Sequence, residues 1–270
     1  MTADAASVAT ADWCAAMRRQ RLSTGTIRKR RGELASWSDH IGAGWRTATW
    51  RDVDRWIDSR PLGPRAQASA VSHLRSFYKW ARREGLVSCD PCADVICPRL
   101  PVCVPRPARD VDVRRAVGAG LEPLELASAL MAYAALRCCE VARLQWADVD
   151  LADGLIYVTG KGDKQAVVPI CPPLAAILAV QTATDGPVIA CRTGRNCTAA
   201  RISQRVGAHL RARGAACTAH QLRHHAATHL LAITGRIDLV KEFLRHASIS
   251  TTQVYARTAP GALAAALANW

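Results

Sequence analysis

The chain has 270 residues and a mass of 29.1 kDa, with half of its residues hydrophobic, which is material for one large folded unit or two modest ones and too apolar for intrinsic disorder. No uninterrupted apolar run approaches the roughly 18 residues needed to span a bilayer, and Met1 is followed by Asp4 instead of a basic leader, so secretion and membrane insertion are disfavoured and a cytoplasmic protein is expected. The net charge is +14 with a pI near 9.8, and all but five of the 36 basic residues are Arg, whose planar fork matches phosphate oxygens.

The positive charge is spread over the whole chain, with 17 basic against 10 acidic residues up to residue 100 and 19 against 12 beyond it. A polyanionic partner for both halves is the expectation, set against a surface that is basic for solubility alone. The first hundred residues read as helices. A helix is expected around Asp12 to Arg21. In the next, Ile27, Leu34, Trp37 and Ile41 fall at helical spacing, with Arg28, Lys29, Arg30 and Arg31 forming a turn of positive charge at its start. Thr49 followed by Asp52 is a capping-box signal that opens a third helix carrying Val53, Trp56 and Ile57, which Pro61 stops. A fourth places Ala70, Val71, Leu74, Phe77, Tyr78 and Ala81 on one face and His73, Arg75, Lys79, Arg82 and Arg83 around the other, as far as Gly85. Trp13, Trp37, Trp50, Trp56 and Trp80 are expected in the core of this bundle.

Pro91, Pro98, Pro101, Pro105 and Pro107 then mark an extended connector. Cys89 and Cys92 have the spacing of a zinc knuckle, but Cys97 and Cys103 form no second close pair, so these are expected to be linker thiols. The 11 cysteines, an odd number without an export signal, read as reduced. Residues 109–136 look helical. Leu155–Val158 and Ala166–Ile170 are β-rich runs around a glycine-rich tip, Gly160–Lys164, and read as a hairpin. Helical patterning returns from Pro173 onward, with no internal repeat at solenoid periods.

Several residues could carry chemistry. His220 and Arg223 stand three apart, so on a helix they share a face, where they could serve a phosphate or simply line a basic surface. Arg137 ends an apolar stretch one turn before Glu140, either as a structural ion pair or as an arginine held for a substrate. Lys161 sits between two glycines at the hairpin tip, a lysine on an exposed turn or a mobile cation that a ligand can approach closely. His246 precedes Tyr255 by nine residues, and a phenol is a poor nucleophile unless cations or a base activate it. His224, His225 and His229 read as packing or surface residues.

Taken in order, ALRCCEV at 135–141, GKGDKQAVVPI at 160–170, HQLRHHAATHLL at 220–231 and FLRHASISTTQVY at 243–255 resemble the tyrosine recombinase family, the phage integrases and their relatives. The resemblance implies that Tyr255 is the nucleophile and that Arg137 and Arg223 clamp the phosphate. It makes Lys161 the acid that protonates the leaving 5′ oxygen, His220 an aid to proton transfer, and His246 a hydrogen-bond donor to phosphate. Glu140 would orient Arg137. Two positions depart from the family pattern, which usually has Gly where this chain has Arg245 and often Gly in place of Ala135. Arg245 could add a phosphate contact or tune the local potential.

The implied fold is mainly α (α+β): a helical core-binding domain at 1–97, a linker at 98–108, and a mostly helical catalytic domain with a small antiparallel sheet at 109–270. The implied function is site-specific cleavage and rejoining of DNA through a 3′-phosphotyrosyl intermediate, by the integrase of a phage or mobile element. The alternatives are a chromosome-dimer resolvase of the same family and a sequence-specific DNA-binding protein without chemistry. A homotetramer on two duplex attachment sites in a bacterial nucleoid follows from this reading, with a possible directionality factor. No metal or cofactor is expected, since fixed Arg and His donors can stabilise the phosphorane and there is neither a P-loop nor a two-metal carboxylate cluster.

Overall fold

The computed structural model describes residues 2–100, 106–160, 165–183, 185–191 and 193–245. The chain divides into two compact units, Met1–Val102 and Cys103–Trp270.

The N-terminal unit is a bundle of α1 (Thr2–Arg19), α2 (Thr24–Ile41), α3 (Trp50–Asp58) and α4 (Pro64–Arg83), with a 3-10 turn at Gly42–Arg46. Helix α1 starts well before the expected Asp12, because the alanine-rich residues ahead of it favour helix even without an apolar stripe. The Ser23 hydroxyl accepts the Thr26 N–H and caps α2. The Asp52 carboxylate accepts the Thr49 N–H at 2.8 Å, the half of the capping box that the sequence anticipates for α3. Pro64 occupies the first turn of α4, where its missing N–H costs nothing.

The apolar faces meet in an aromatic core. Trp13, Trp37, Trp56 and Trp80 are buried as expected, while Trp50 is 40% exposed and carries the Arg51 guanidinium 4.5 Å from its ring centroid. A hydrogen-bond relay crosses the core: the Trp37 indole N–H donates to Tyr78 Oη at 2.9 Å, and Tyr78 donates to the Trp45 carbonyl at 2.8 Å. The hydroxyl thereby satisfies a buried donor and a buried acceptor on two other segments. Arg28, Lys29 and Arg31 on α2, and Arg75, Lys79, Arg82 and Arg83 on α4, remain exposed. In the segment that follows, Cys92 is buried and its carbonyl accepts from Arg75.

The C-terminal unit is built around α6 (Pro123–Tyr133), buried along almost its whole length from Glu125 to Ala132. The expected single helical stretch at 109–136 is instead α5 (Asp110–Val117), a break, and α6. Gly118 and Gly120 make the break with positive φ, and side chains would collide with Glu125 and Ile177, respectively. After α6 come a one-turn helix, α7 (Cys138–Val141), a 3-10 turn at Trp146–Asp148, and an antiparallel sheet of β1 (Val149–Asp150), β2 (Leu155–Thr159) and β3 (Gln165–Pro169), in that order. The expected hairpin is β2–β3, paired from Leu155 with Pro169 to Thr159 with Gln165. Ile156, Val158 and Val168 face the core, whereas Tyr157 and Val167 face outward, as the two-residue period requires. Helices α8 (Pro172–Ala179), α9 (Ala199–Ala212), α10 (Ala219–Thr234) and α11 (Ile237–Phe243) complete the unit. A second small core of Ala135, Ala226, Ala227, Leu231, Val240 and Leu244 joins the end of α6 to α10 and α11. None of the described helices is long and apolar enough to cross a membrane.

Replacing Tyr78 by Phe strands both ends of the relay. The expected loss is about 2 kcal/mol in the N-terminal unit, seen as a roughly 30-fold acceleration of amide hydrogen exchange in α2 and α4.

Candidate active site around Glu140

Three segments of the C-terminal unit converge on one carboxylate. Helix α6 ends at Tyr133, and the chain reverses through Ala135, a non-glycine residue with φ of 52°. It then enters α7 with Arg137 at the N-cap and Glu140 three residues on. The Glu140 side chain is 1% exposed, and its Oε2 accepts the Arg137 backbone N–H at 2.8 Å. The same carboxylate takes Arg137 Nη1 on Oε1 at 2.7 Å and Arg245 Nη2 on Oε2 at 2.8 Å, with Arg223 Nη1 3.9 Å away. Burial works against its charge, but the Arg245 charge and then the Arg137 bonds overcome it, so its pKa lies below the usual glutamate value.

Two main-chain carbonyls share the remaining work. Leu244 O, just after α11, accepts from Arg137 Nη2 at 3.2 Å and from Arg223 Nη2. Ala135 O accepts from Arg223 Nη1 and from Arg245 Nη2, the latter at 2.9 Å. Arg223 is almost wholly buried, while Arg137 keeps 37% of its side chain open.

Helix α10 brings His220 and Arg223 to this cluster. Thr218 and Gln221 form a reciprocal cap at its start, the Thr218 hydroxyl accepting the Gln221 N–H and Gln221 Oε1 accepting the Thr218 N–H. His220 is therefore in the first turn, where the helix N-terminus favours anions. Its pKa is depressed, first by the desolvating pocket wall and then by the Arg223 and Arg137 charges, so the imidazole is neutral at pH 7. A cavity of about 550 Å³ opens here, lined by Arg137, His220, Arg223 and Arg211, with Cys139 and Cys217 among its other walls. It suits an anion: cations fixed by neutral carbonyls, beside a neutral imidazole able to take a proton.

Of the six residues expected at the site, Arg137, His220 and Arg223 come together in this cavity. Lys161, His246 and Tyr255 lie outside the described residues. Both strands leading to Lys161 are described, and Arg143 Nη1 donates to Gly160 O at 3.3 Å, tying the tip end of the hairpin to the segment after α7. The two readings of Arg137 are not exclusive: it is paired with Glu140 and still faces the cavity. Residue patterns gave no sign of the Leu244 and Ala135 carbonyls, because a main-chain acceptor has no sequence signature. His225 and His229 stack 5.9 Å apart, and His225 Nδ1 meets Ala108 O at 3.2 Å, a packing role as expected. Among the described residues no group of three or more His, Cys, Asp or Glu is placed to hold a metal ion.

Glu140→Gln leaves clustered buried cations without their counter-charge and is expected to destabilise the C-terminal unit by about 3 kcal/mol at pH 7. Because the folded pKa is depressed, Glu140 contributes its full stabilisation above the ordinary carboxylate range and loses it as pH falls through the folded value. The gap between the two proteins in urea unfolding should therefore narrow below about pH 4.

Residues 121–261 match the family described as "Phage integrase family", and residues 12–85 match "Phage integrase, N-terminal SAM-like domain". A protein named tyrosine recombinase XerC from Alcanivorax borkumensis is 33% identical over 204 residues, 68% of this chain and 66% of that protein. Another protein of that name, from Neisseria meningitidis serogroup B, is 34% identical over 222 residues, 75% of this chain and 72% of that protein. This chain thus spans about two thirds of the first relative's length and somewhat more of the second's. In fold it is similar to a lambda integrase dimer bound to a COC′ core site, with a TM-score of 0.73 and 15% identity, covering 92% of this chain and 76% of that one. With a family match over more than half its length and this arginine cluster in the matched region, the chain belongs to the phage integrase family of tyrosine recombinases.

Proposed function

We propose that the protein cleaves and rejoins duplex DNA at specific sites through a 3′-phosphotyrosyl intermediate. The observation that carries this reading is the Arg137–Arg223–His220 cluster: two guanidiniums on one carbonyl, one of them still open to a cavity, beside a neutral imidazole. Tyr255 Oη attacks phosphorus, forming the phosphotyrosyl bond as the P–O5′ bond breaks. The phenolic proton leaves through His220, and Lys161 supplies the proton taken up by the 5′ oxygen. Arg137, Arg223 and His246 hold the non-bridging oxygens as negative charge builds on them, which is where fixed donors in a water-poor site are worth most. Attack by the 5′ hydroxyl of another strand reverses the step, and the phosphotyrosyl bond conserves the energy for rejoining.

The exposed cations on α2 and α4 supply the DNA-gripping surface of the N-terminal unit, which we assign to residues 1–97, with 98–108 as the linker and 109–270 as the catalytic domain. The assembly is a homotetramer on two duplexes in the bacterial cytoplasm, at the nucleoid, with an accessory directionality factor in the excision direction. Integration and excision of a phage or mobile element is one physiological role. The likeness to proteins named XerC favours a recombinase of the chromosome-dimer-resolving kind at least as well.

The test is to incubate the protein with sheared genomic DNA of its source, denature in SDS, and sequence the fragments that stay bound. Adducts at one recurrent sequence support the reading, and their absence defeats it. The position of that sequence, at an element's ends or at a single chromosomal locus, separates the two roles. On a nicked duplex of the recovered site, Tyr255→Phe should bind within about twofold of the parent and form no adduct. Arg137→Lys keeps the charge but cannot bridge Glu140, Leu244 O and a phosphate together. Its cleavage rate should fall roughly 100-fold or more with little change in affinity.

A further inference from the structure

Arg245 is a cation in an expensive place. Its φ of 52° puts a side-chain-bearing residue in the left-handed region, and its side chain is only 12% exposed. The guanidinium turns inward, with Nη2 on Glu140 Oε2 at 2.8 Å and on Ala135 O at 2.9 Å, and Nη1 on Phe243 O at 3.0 Å. Burial draws the Arg245 pKa down, and the Glu140 charge opposes this.

We infer that Arg245 is a positioning residue for the strand-cleavage reaction: it holds Glu140 and the Ala135 carbonyl so that Arg137 and Arg223 are presented to the scissile phosphate, and it makes no contact with that phosphate itself. The inference rests on the function proposed above. Three features carry it. Each acceptor that Arg245 uses in the α6–α7 turn is also an acceptor of a proposed phosphate clamp, Glu140 for Arg137 and Ala135 O for Arg223. Ala135 is itself left-handed, so the turn that aims its carbonyl is strained and gains from a second donor. Glu140 gives Oε1 to the Arg137 guanidinium and shares Oε2 between the Arg137 N–H and Arg245. Without Arg245, Oε2 keeps only the Arg137 N–H and can close the 3.9 Å to Arg223 Nη1, neutralising a charge the phosphate needs.

The experiment uses the full chain and a nicked duplex carrying the sequence recovered from the genomic adducts. Arg245→Gly relieves the backbone strain and is the variant safest for folding, while Arg245→Ala leaves a guanidinium-sized gap. Adduct formation is measured at saturating protein, and binding is measured separately with Tyr255→Phe in each background. The expected result is affinity within about twofold of the parent and adduct formation slowed at least about tenfold in both variants. Guanidinium chloride at tens of millimolar should recover part of the Arg245→Ala rate, and equal sodium chloride should not. Adduct formation at the parent rate overturns the inference. So does a parallel fall in affinity with a salt slope reduced by about one, the mark of a phosphate contact, and so does rescue no better than by sodium chloride. A parent protein that forms no adduct overturns the proposed function, whereas a parent that reacts alongside an equally fast Arg245→Gly overturns this inference alone.

Discussion

One buried carboxylate governs the architecture of the C-terminal unit. Removing Glu140 from water is costly unless its oxygens are fully engaged, and the chain engages them with groups from α7 and from the residue after α11, with Arg223 of α10 close by. The convergence of segments about a hundred residues apart is therefore an electrostatic requirement as much as a packing one. The small core of Ala135, Ala226, Ala227, Leu231, Val240 and Leu244 packs beside it, with alanines at three of its six positions.

The choice of acceptors matters to the chemistry. A guanidinium held by a carboxylate is positioned and also largely neutralised, whereas one held by a carbonyl is positioned and keeps its charge. Here one carboxylate and three carbonyls, Leu244 O, Ala135 O and Phe243 O, organise three arginines. The excess cation is what suits the cavity to an anion. After burial, it also helps to lower the His220 pKa, so under the proposed mechanism a single arrangement provides charge for the phosphate and a proton acceptor for the phenol.

Much of this was readable from the residues, and the parts that were not share a cause. Helices α2 and α4, the Thr49 cap and the β2–β3 hairpin follow local periodicity and capping chemistry, which act within a few residues. The break between α5 and α6 falls at Gly118 and Gly120, both at positive φ, with Pro123 opening α6, breaker signals that reading 109–136 as one helical stretch passes over. At the site, the spacing of Arg137 to Glu140 and of His220 to Arg223 was visible, since each pair belongs to one turn. The inward turn of Arg245 onto Glu140 joins residues 105 apart through a left-handed backbone, and nothing local encodes it. Trp50 shows the opposite error: at a helical position it looked like core, yet it serves as a platform for Arg51 on the surface.

The crowding of indoles in the N-terminal bundle has a practical corollary. Six of the eight tryptophans, Trp13, Trp37, Trp45, Trp50, Trp56 and Trp80, belong to that unit, and Trp146 is the other one among the described residues. Intrinsic fluorescence of the intact, unlabelled chain is consequently weighted towards the N-terminal unit. With the Trp37 indole bonded to Tyr78 and Trp50 open to water, blue-emitting and red-emitting populations coexist there. Quenching confined to the red edge would register a ligand arriving at the surface around Trp50, while the interior chromophores stay dark to it.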